Sequence, residues 1–553
     1  MHSKLTQLPV ELICHVLNYL TAHELVRARQ ICRTIKTAID HSELLQYTID
    51  LGFFRMTEIP SDRRRVPVAT RRKELREFES SWRNLRYRRR CDFPLLTSGP
   101  VYEFVGGIYA LARENGLHFS VLPHNPHSES KPTRTWHHPV DMTTMVDFTF
   151  CPSQDLLVIV MASNDHHHCH DLHLRSLRTN SPHPHAVQPI LKSIDEGSTT
   201  EFFHGAGPVK IQVLGKYTAI LCREVFANDN DMGDYLQLWN WMTDKVAKFT
   251  IRFPETMNDF VFLSEDSLLL VADDGSIEIY SFLDGQASIT PRHTARLSMP
   301  NLMKDWQPAD AFIGGRPTLP IGMTAEYPRP WAENELSLPM FHPTLDDQLL
   351  AFHVTLFRTT NENDMHSFVF FMFRTELLRL QTLYEQHFGS QQDPEGPFLP
   401  YSIWGKHRTQ WFPDSYVDWQ NSVYGYRTVE LVTESKMFPT EPRRLLVRDF
   451  NPSLLFFKPP LKVVAEEMGG EEEYRSEERG ISISAVGSPG SGLSIHSGVT
   501  RPFAEPLGKG LPHREVISKE SFNAAEVMMD EGRILLFSRR EGKDLLRVEI
   551  LIM

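Results

Sequence analysis

The stretch DFVFLSEDSLLLVADDGSIEIYSFLDG, residues 259–285, predicts three consecutive β-strands. It holds three short apolar runs, and Asp274-Gly275 supplies a turn between the last two. Short apolar runs separated by turn residues are typical of antiparallel sheets. This part of the chain is therefore expected to be built from hairpins.

Strand, turn and strand recur outward from this segment, from about residue 100 to the C-terminus. The pattern gives about two dozen candidate strands in groups of roughly 40–50 residues, as expected for the blades of a β-propeller. Leu238-Trp239-Asn240-Trp241 resembles the strand end of WD repeats, although no regular Gly-His to Trp-Asp signature recurs. We predict that residues 101–553 form a mostly antiparallel body, a degenerate propeller of six or seven blades, with a helix at 375–388. A pair of β-sandwiches or a β-solenoid also fits the number of strands.

The first forty residues have a helical pattern instead. A first helix is expected from Pro9 to about Leu20, with apolar residues spread around more of it than one contact surface needs. Thr21-Ala22-His23-Glu24 reads as a capping box that begins a second helix. The second helix has one apolar stripe made of Leu25, Ala28, Cys32, Ile35 and Ile39. A unit of about 40 residues is too small to stabilise its own core easily, so another surface must cover part of it.

The order Leu8-Pro9-x-Glu11, Val16-Leu17, Leu20, Leu25 and Ile31-Cys32-Arg33 resembles an F-box over about residues 5–47. F-boxes dock on the Skp adaptor of SCF ubiquitin ligases, and the resemblance implies that the adaptor supplies the missing half of the core. Many F-boxes carry tryptophan where this chain has Ile35. The alternative is an ordinary helical hairpin that packs on its own downstream domain. The adaptor-contact residues that the resemblance implies are Leu8, Pro9, Leu12, Val16, Leu20, Leu25, Ile31 and Cys32.

Residues 48–100 are predicted to form a helical, Arg-rich bridge between the F-box, residues 1–47, and the body. Residues 61–90 hold eleven arginines. Such a run can mark nucleic-acid binding or nuclear import, but the glutamates between the arginines favour a solvated helix face. The segments 44–52, 74–85 and 102–111 resemble segments that recur in a large group of basidiomycete fungal F-box proteins.

Two insertions interrupt the strand pattern. Residues 466–498 are acidic and then rich in Ser and Gly, which predicts a disordered excursion. Residues 300–339 are rich in proline, which predicts an extended connection without a long regular element. The serines of the first insertion are either ordinary exposed residues or phosphorylation sites: Ser482, Ser484, Ser488, Ser491 and Ser494.

Two clusters of side chains are candidate binding sites. The run Asn164–His173 offers imidazole, thiol and carboxylate groups, but its spacing fits a polar hairpin tip better than a zinc site. We predict no metal and no cofactor. The aromatic segment 401–412 reads either as core or, because Trp is enriched at binding hot spots, as a recognition surface. Trp404 and Trp411 are tentative contacts for a target protein under the second interpretation.

Composition and motifs narrow the classes of function. A net charge of −12 over 553 residues argues against nucleic acid as the main partner. No run of 18 apolar residues occurs, so no membrane-spanning helix is expected, and the few cysteines suggest the cytoplasm or nucleus. No catalytic signature is present. We predict a non-catalytic substrate-recognition subunit of an SCF-type ligase, with a Skp-type adaptor, a cullin and an unknown target as partners. The alternatives are a propeller scaffold without a ligase role and a propeller hydrolase.

Overall fold

The computed structural model of the chain describes most of the sequence. The described residues are 7–58, 66–94, 101–123, 134–164, 169–193, 208–223, 234–243, 247–253, 255–284, 289–315, 340–344, 348–389, 396–413, 417, 419–432, 442–453, 483–484, 502–539 and 545–553.

Four short helices form the N-terminal unit. They are α1 Val10–Leu17, α2 Ala22–Ala28, α3 Arg33–His41 and α4 Glu43–Phe54. The prediction of one long second helix is wrong, because the backbone of Cys32 is extended and separates α2 from α3. Leu25 and Ala28 of α2 and Ile35 and Ile39 of α3 pack into one core. The helical spacing therefore continues across the break, which hides the break in the sequence.

A strand and a long helix connect this unit to the body. Strand β1, Met56–Glu58, pairs with β20, Phe341–Pro343, which belongs to an insertion of the body. Helix α5, Val68–Asn84, follows. Strand β2, Arg89–Pro94, then pairs with the last strand of the chain, β31, Leu545–Ile552.

The described part of the body forms seven sheets of four or five antiparallel strands. Sheet 1 consists of β3 Tyr102–Val105, β4 Ile108–Arg113, β5 Gly116–Val121 and β6 Thr135–His138, and sheet 2 of β7 Met145–Cys151, β8 Leu156–Ala162, β9 His170–Ser176 and β10 Ile190–Lys192. Sheet 3 consists of β11 Val209–Leu214, β12 Tyr217–Cys222, β13 Tyr235–Asn240 and β14 Ala247–Arg252. Sheet 4 consists of β15 Met257–Ser264, β16 Ser267–Ala272, β17 Ile277–Asp284 and β18 Ile289–Leu297.

Sheets 5 to 7 have more complex connections. Sheet 5 consists of β19 Trp306–Gly314, β21 Leu349–Arg358, β22 Asn361–Phe373 and β23 Gln410–Pro413. Sheet 6 consists of β24 Val423–Tyr424, β25 Arg427–Val432, β26 Arg443–Asp449, β28 His513–Phe522 and β27 Ile483–Ser484. Sheet 7 consists of β29 Glu526–Met529, β30 Arg533–Arg539, β31 and β2. Helices α6, Arg374–Phe388, and α7, Tyr401–Trp404, lie between β22 and β23. The predicted helix at 375–388 is thus confirmed.

The sheets pack face to face in a closed ring. Each sheet shares an apolar cluster with the next one along the chain. Phe104 and Tyr109 of sheet 1 pack against Met528 and Phe537 of sheet 7, which completes the ring. A closed ring of four-stranded sheets is the architecture of a β-propeller. The body is therefore a propeller and neither a sandwich pair nor a solenoid.

Strand β2 places part of the predicted bridge inside this ring. It is the outer strand of sheet 7, so the body begins at residue 89 and not at the predicted boundary of 101. The sequence between β2 and β3 carries no sign of this, because the partner of β2 lies at the other end of the chain. The N-terminal and C-terminal segments hold each other in one sheet.

The two predicted insertions differ in how much of them is described. Of the proline-rich stretch, residues 306–314 form strand β19, contrary to the prediction. Pro308 lies at a β-bulge, where a residue without an N–H is tolerated. Residues 316–339 lie outside the described residues. Of the insertion 466–498, all but Ile483–Ser484 lies outside them as well.

Candidate protein-binding surface

Helix α1 has two apolar faces, and the chain covers one of them. Ile13 and Leu17 are buried against α2, α3 and α4. Leu12 and Val16, on the adjoining face of the helix, remain 49% and 46% exposed. Residues four apart lie on the same helix face, so these two side chains form one outward stripe.

Local interactions hold the helices that carry this stripe. The predicted capping box is confirmed: the Thr21 N–H donates to Glu24 Oε2 at 2.8 Å, and the Glu24 N–H donates to Thr21 Oγ1 at 3.4 Å. The Thr21 hydroxyl also donates to Glu24 Oε2, at 2.8 Å, and the two hydrogen bonds from Thr21 to the Glu24 carboxylate lower its pKa. The capping box fixes the turn between α1 and α2 without any apolar side chain.

The predicted adaptor-contact residues differ in exposure. Leu8, Pro9, Leu12, Val16 and Ile31 are exposed, and Leu20 and Cys32 are half-buried. Leu25 departs from the prediction, because it is fully buried in the core of the helical unit. It supports the surface from below and is not available for contact.

Sequence reasoning missed three further exposed apolar residues, Val10, Tyr19 and Leu44. Tyr19 is 79% exposed and its ring contacts that of His15 at a centroid distance of 5.6 Å. It lies in the turn that follows α1, where its N–H donates to the Val16 carbonyl at 3.3 Å, so it comes directly after the stripe. Its phenol hydroxyl gives the end of the stripe a polar group.

The other side of the helical unit is joined to the body. Tyr47 of α4, Leu75 of α5, and Met56 and Phe341 of the paired strands share one apolar cluster. The Asn451 side-chain amide donates to the Phe53 carbonyl at 3.1 Å. Two arginines that the sequence predicted on a solvated helix face contribute to this joint. Arg72 and Arg76 both bind Asp50 of α4, at 2.7 and 2.8 Å.

Buried charges continue this joint into sheet 6. Arg427 pairs with Glu79 of α5 and with Asp449 of β26, the latter at 3.1 Å. Burial raises the pKa of Glu79 to about 7, although the charge of Arg427 lowers it in part. Asp449 shares the same guanidinium, which leaves Glu79 incompletely compensated.

Trp404 and Trp411 do not form a surface, so their tentative role as target contacts needs correction. Trp404 is fully buried and its indole N–H donates to the Ser298 carbonyl at 3.0 Å. Trp411 stacks on Phe370 at a centroid distance of 4.5 Å, and its N–H donates to the Tyr401 hydroxyl at 2.9 Å. Both side chains belong to the core between sheets 4 and 5.

The histidine-rich run also turns inward where it is described. His170 is buried, with Nδ1 3.7 Å from the Cys222 sulfur, and burial lowers its pKa to about 4. Residues 165–168 lie outside the described residues. Within the described ranges, no group of three or more His, Cys, Asp or Glu side chains is placed to hold a metal ion. Among the helices described above, none combines the length and apolar composition needed to cross a membrane.

The helical unit matches a known family. The sequence model of the F-box domain matches residues 5–47, which include α1 to α3 and the start of α4. The chain thus contains an F-box domain, which precedes a large antiparallel body. No curated protein matches the chain in sequence.

Solved structures are similar to the chain at low sequence identity. A chain of a Saccharomyces cerevisiae complex of Dbp5, Nup159 and Gle1 has 9% identity and a TM-score of 0.32, over 85% of this chain and 95% of that one. The WD40 domain of SCAP from fission yeast has 8% identity and a TM-score of 0.31, over 82% and 84%. Kluyveromyces lactis Hsv2 has 10% identity and a TM-score of 0.26, over 37% and 63%. With TM-scores this low, the fold assignment depends on the sheets of the chain itself.

Proposed function

We propose that this protein is the substrate-recognition subunit of an SCF-type ubiquitin ligase in the cytoplasm or nucleus. Its F-box docks on a Skp-type adaptor and, through it, on a cullin. The propeller holds a target protein, and other subunits carry out ubiquitin transfer. The protein itself contributes no catalytic group.

The observation that carries this proposal is the uncovered stripe of α1. Large apolar side chains exposed next to one another on a small helical unit are typical of a protein-binding site. Leu12, Val16 and Tyr19 are exposed and lie next to the face of α1 that packs in the F-box core. The body is attached through α4, β1 and α5, so this attachment leaves the stripe free for a partner.

The joint with the body supports the same proposal. A recognition subunit must hold its target at a defined position relative to the adaptor. Strand pairing between β1 and β20, the ion pairs of Asp50 and the buried Arg427 all fix the F-box to the propeller. A flexible tether would leave that position undefined.

The test is co-purification of the full chain with a Skp-type adaptor. Replacing Leu8 and Pro9 by alanine should abolish adaptor binding, because both residues are exposed at the start of α1. The unfolding transition of the body should not change. The matched control is alanine at Val187 and Ile190, which are both 38% exposed on the body. The control variant should bind like the wild type.

Two outcomes would count against the proposal. Retained adaptor binding by the Leu8/Pro9 variant would exclude these two residues from the docking surface. Retained binding by a Leu12→Ala/Val16→Ala variant would remove the docking surface itself. Adaptor binding without any ubiquitin transfer to captured proteins would leave the chain as a propeller scaffold. A proteomic comparison of proteins stabilised when the F-box is deleted then identifies the target.

A further inference from the structure

A row of charged side chains crosses one face of sheet 6. Arg427 of β25 is the register partner of Asp449 of β26, and Asp449 is the register partner of Arg514 of β28. Directly paired residues project from the same face of a sheet. The three side chains therefore alternate in sign along the row, with a cation at each end.

Helix α5 brings further charges to this face. Glu79 binds Arg427, and the Arg427 guanidinium lies 5.3 Å from the ring centroid of Trp82. Arg83 follows Glu79 by one helical turn and is therefore on the same side of α5. Burial, followed by the positive charge of Arg83, lowers the pKa of Arg514 below its usual value.

Positive charge is in excess at this point. Glu79 and Asp449 both bind Arg427, and the charge of Asp449 also raises the pKa of Arg514 in part. In the part of the chain that the structure describes, no carboxylate forms an ion pair with Arg83 or Arg514. The Arg514 Nε atom is buried, and it too has no hydrogen-bond partner there. Arg514 as a whole is half-buried, so its guanidinium can still bind an anion from outside the sheet.

The chain carries a matching anion close by. It leaves the described residues after Ser453 and returns at Ile483, which is the register partner of Arg514. Residues 466–479 contain seven glutamates and two arginines, which gives a net charge of 2 − 7 = −5. Glu478 precedes Ile483 by five residues, which span at most about 17 Å in an extended chain.

We propose that Arg83 and Arg514 form an anion-binding site whose occupant is the chain's own acidic segment 466–479. Arginine binds carboxylates with two parallel hydrogen bonds, and a short tether gives the segment a high effective concentration at the site. The contact attaches the insertion of sheet 6 to the end of the bridge helix. This inference does not depend on adaptor binding.

The experiment measures tryptic cleavage at Arg475 and Arg479 in the full chain, at about 20 mM and about 500 mM salt. Each rate is divided by that of a free peptide of the same sequence. Docking predicts that the Arg83→Gln/Arg514→Gln variant is cleaved several-fold faster than the wild type at low salt, and equally fast at high salt. The control Lys519→Gln, on the same strand, should be cleaved like the wild type.

A second variant leaves the folded part untouched. Replacing Glu471, Glu472 and Glu473 by glutamine should also accelerate relative cleavage at low salt, because it removes anions and not cations. Equal relative rates for the wild type and the arginine variant would overturn the proposal. Acceleration by the arginine variant alone would overturn the choice of occupant and assign the site to an anion from another molecule.

Discussion

The outer face of the F-box and the core between sheets 4 and 5 hold similar side chains in opposite surroundings. Tyr19 of the F-box is 79% exposed, whereas Tyr401 of the core is 1% exposed. Tyr401 accepts the Trp411 indole N–H and the Gly508 backbone N–H at its hydroxyl. The ring of Tyr19 contacts His15 alone among the ring contacts described for it.

This difference shows what distinguishes an interface from a core in this protein. In both regions the sequence offers large apolar side chains on or beside a short helix. In the core, residues about a hundred positions away, such as Ser298, supply the covering surface and the hydrogen-bond acceptors. On α1, no described part of the chain returns to cover Leu12 and Val16. The uncovered region is the one that needs a partner.

The largest expected effect tests the buried side of this comparison. Trp404→Ala should lower the free energy of unfolding of the body by about 3–5 kcal/mol, because it removes a fully buried indole and leaves a cavity. Trp411→Ala should act in the same direction. Chemical denaturation followed by tryptophan-independent circular dichroism measures the change.

Tyr19→Ala is the matched control for the exposed side. An exposed aromatic residue should contribute less than about 0.5 kcal/mol to folding. If Trp404→Ala retained wild-type stability and lost target capture, the recognition interpretation of the aromatic segment would return.

The next effect concerns the joint between the two regions. Glu79 has its pKa raised to about 7 by burial, above the ordinary value of 4.5. Between these two values the folded state binds the proton more tightly than the unfolded state. Stability from this group is therefore present at low pH and is lost as the pH rises through 7, by on the order of 2–3 kcal/mol.

Glu79→Gln should remove this part of the pH dependence. The measurement is the difference in unfolding free energy between pH 5 and pH 8 for the wild type and the variant. Asp147 and Glu531 also have pKa values raised to about 7 by burial, so the variant too is expected to lose stability between pH 5 and pH 8. The contribution of Glu79 is therefore the difference between the wild type and the variant. Identical slopes would mean that Glu79 stays ionised in its pair with Arg427.

A smaller effect is expected within the F-box region. A Cβ atom at Gly52 of α4 would lie 2.2 Å from the Cβ of Ala22 in α2. Gly52→Ala should therefore destabilise the N-terminal helices by about 1–3 kcal/mol through overpacking, in spite of its better helix propensity. Hydrogen exchange of α2 and α4 measures this change separately from the body. The double variant Ala22→Gly/Gly52→Ala should restore protection; failure to do so would show that the close approach is not the cause.

The elements of both regions were largely predictable because local rules decide them. The capping box at Thr21 and Glu24 needs four consecutive residues. The turn at Asp274-Gly275 is equally local: Gly275 has φ +81°, and the Ser276 N–H donates to Asp274 Oδ1 at 2.7 Å. The ring of sheets follows from many such hairpins in succession.

What the sequence did not predict depends on distant partners. Strand β2 belongs to the body because it pairs with β31, more than 400 residues away. Trp404 is buried because Ser298 and Tyr401 surround it, and Leu25 is buried because α1, α3 and α4 pack around it. Apolar periodicity identifies a face that must be covered. It does not say whether the chain or a partner covers it.

The smallest expected effect on stability comes from the acidic insertion. Residues 466–479 hold too few large apolar side chains to add to either core, so their deletion should change the free energy of unfolding of the body by less than about 0.5 kcal/mol. Limited proteolysis of the full chain should cut within 466–482 or 485–498 before any described element, at low and at high salt. Docking on Arg83 and Arg514 changes the rate of that first cut but not its place, because a few surface ion pairs are weak compared with a packed sheet. A first cut elsewhere, or a deletion that unfolds sheet 6, would mean that the insertion is part of the packed body.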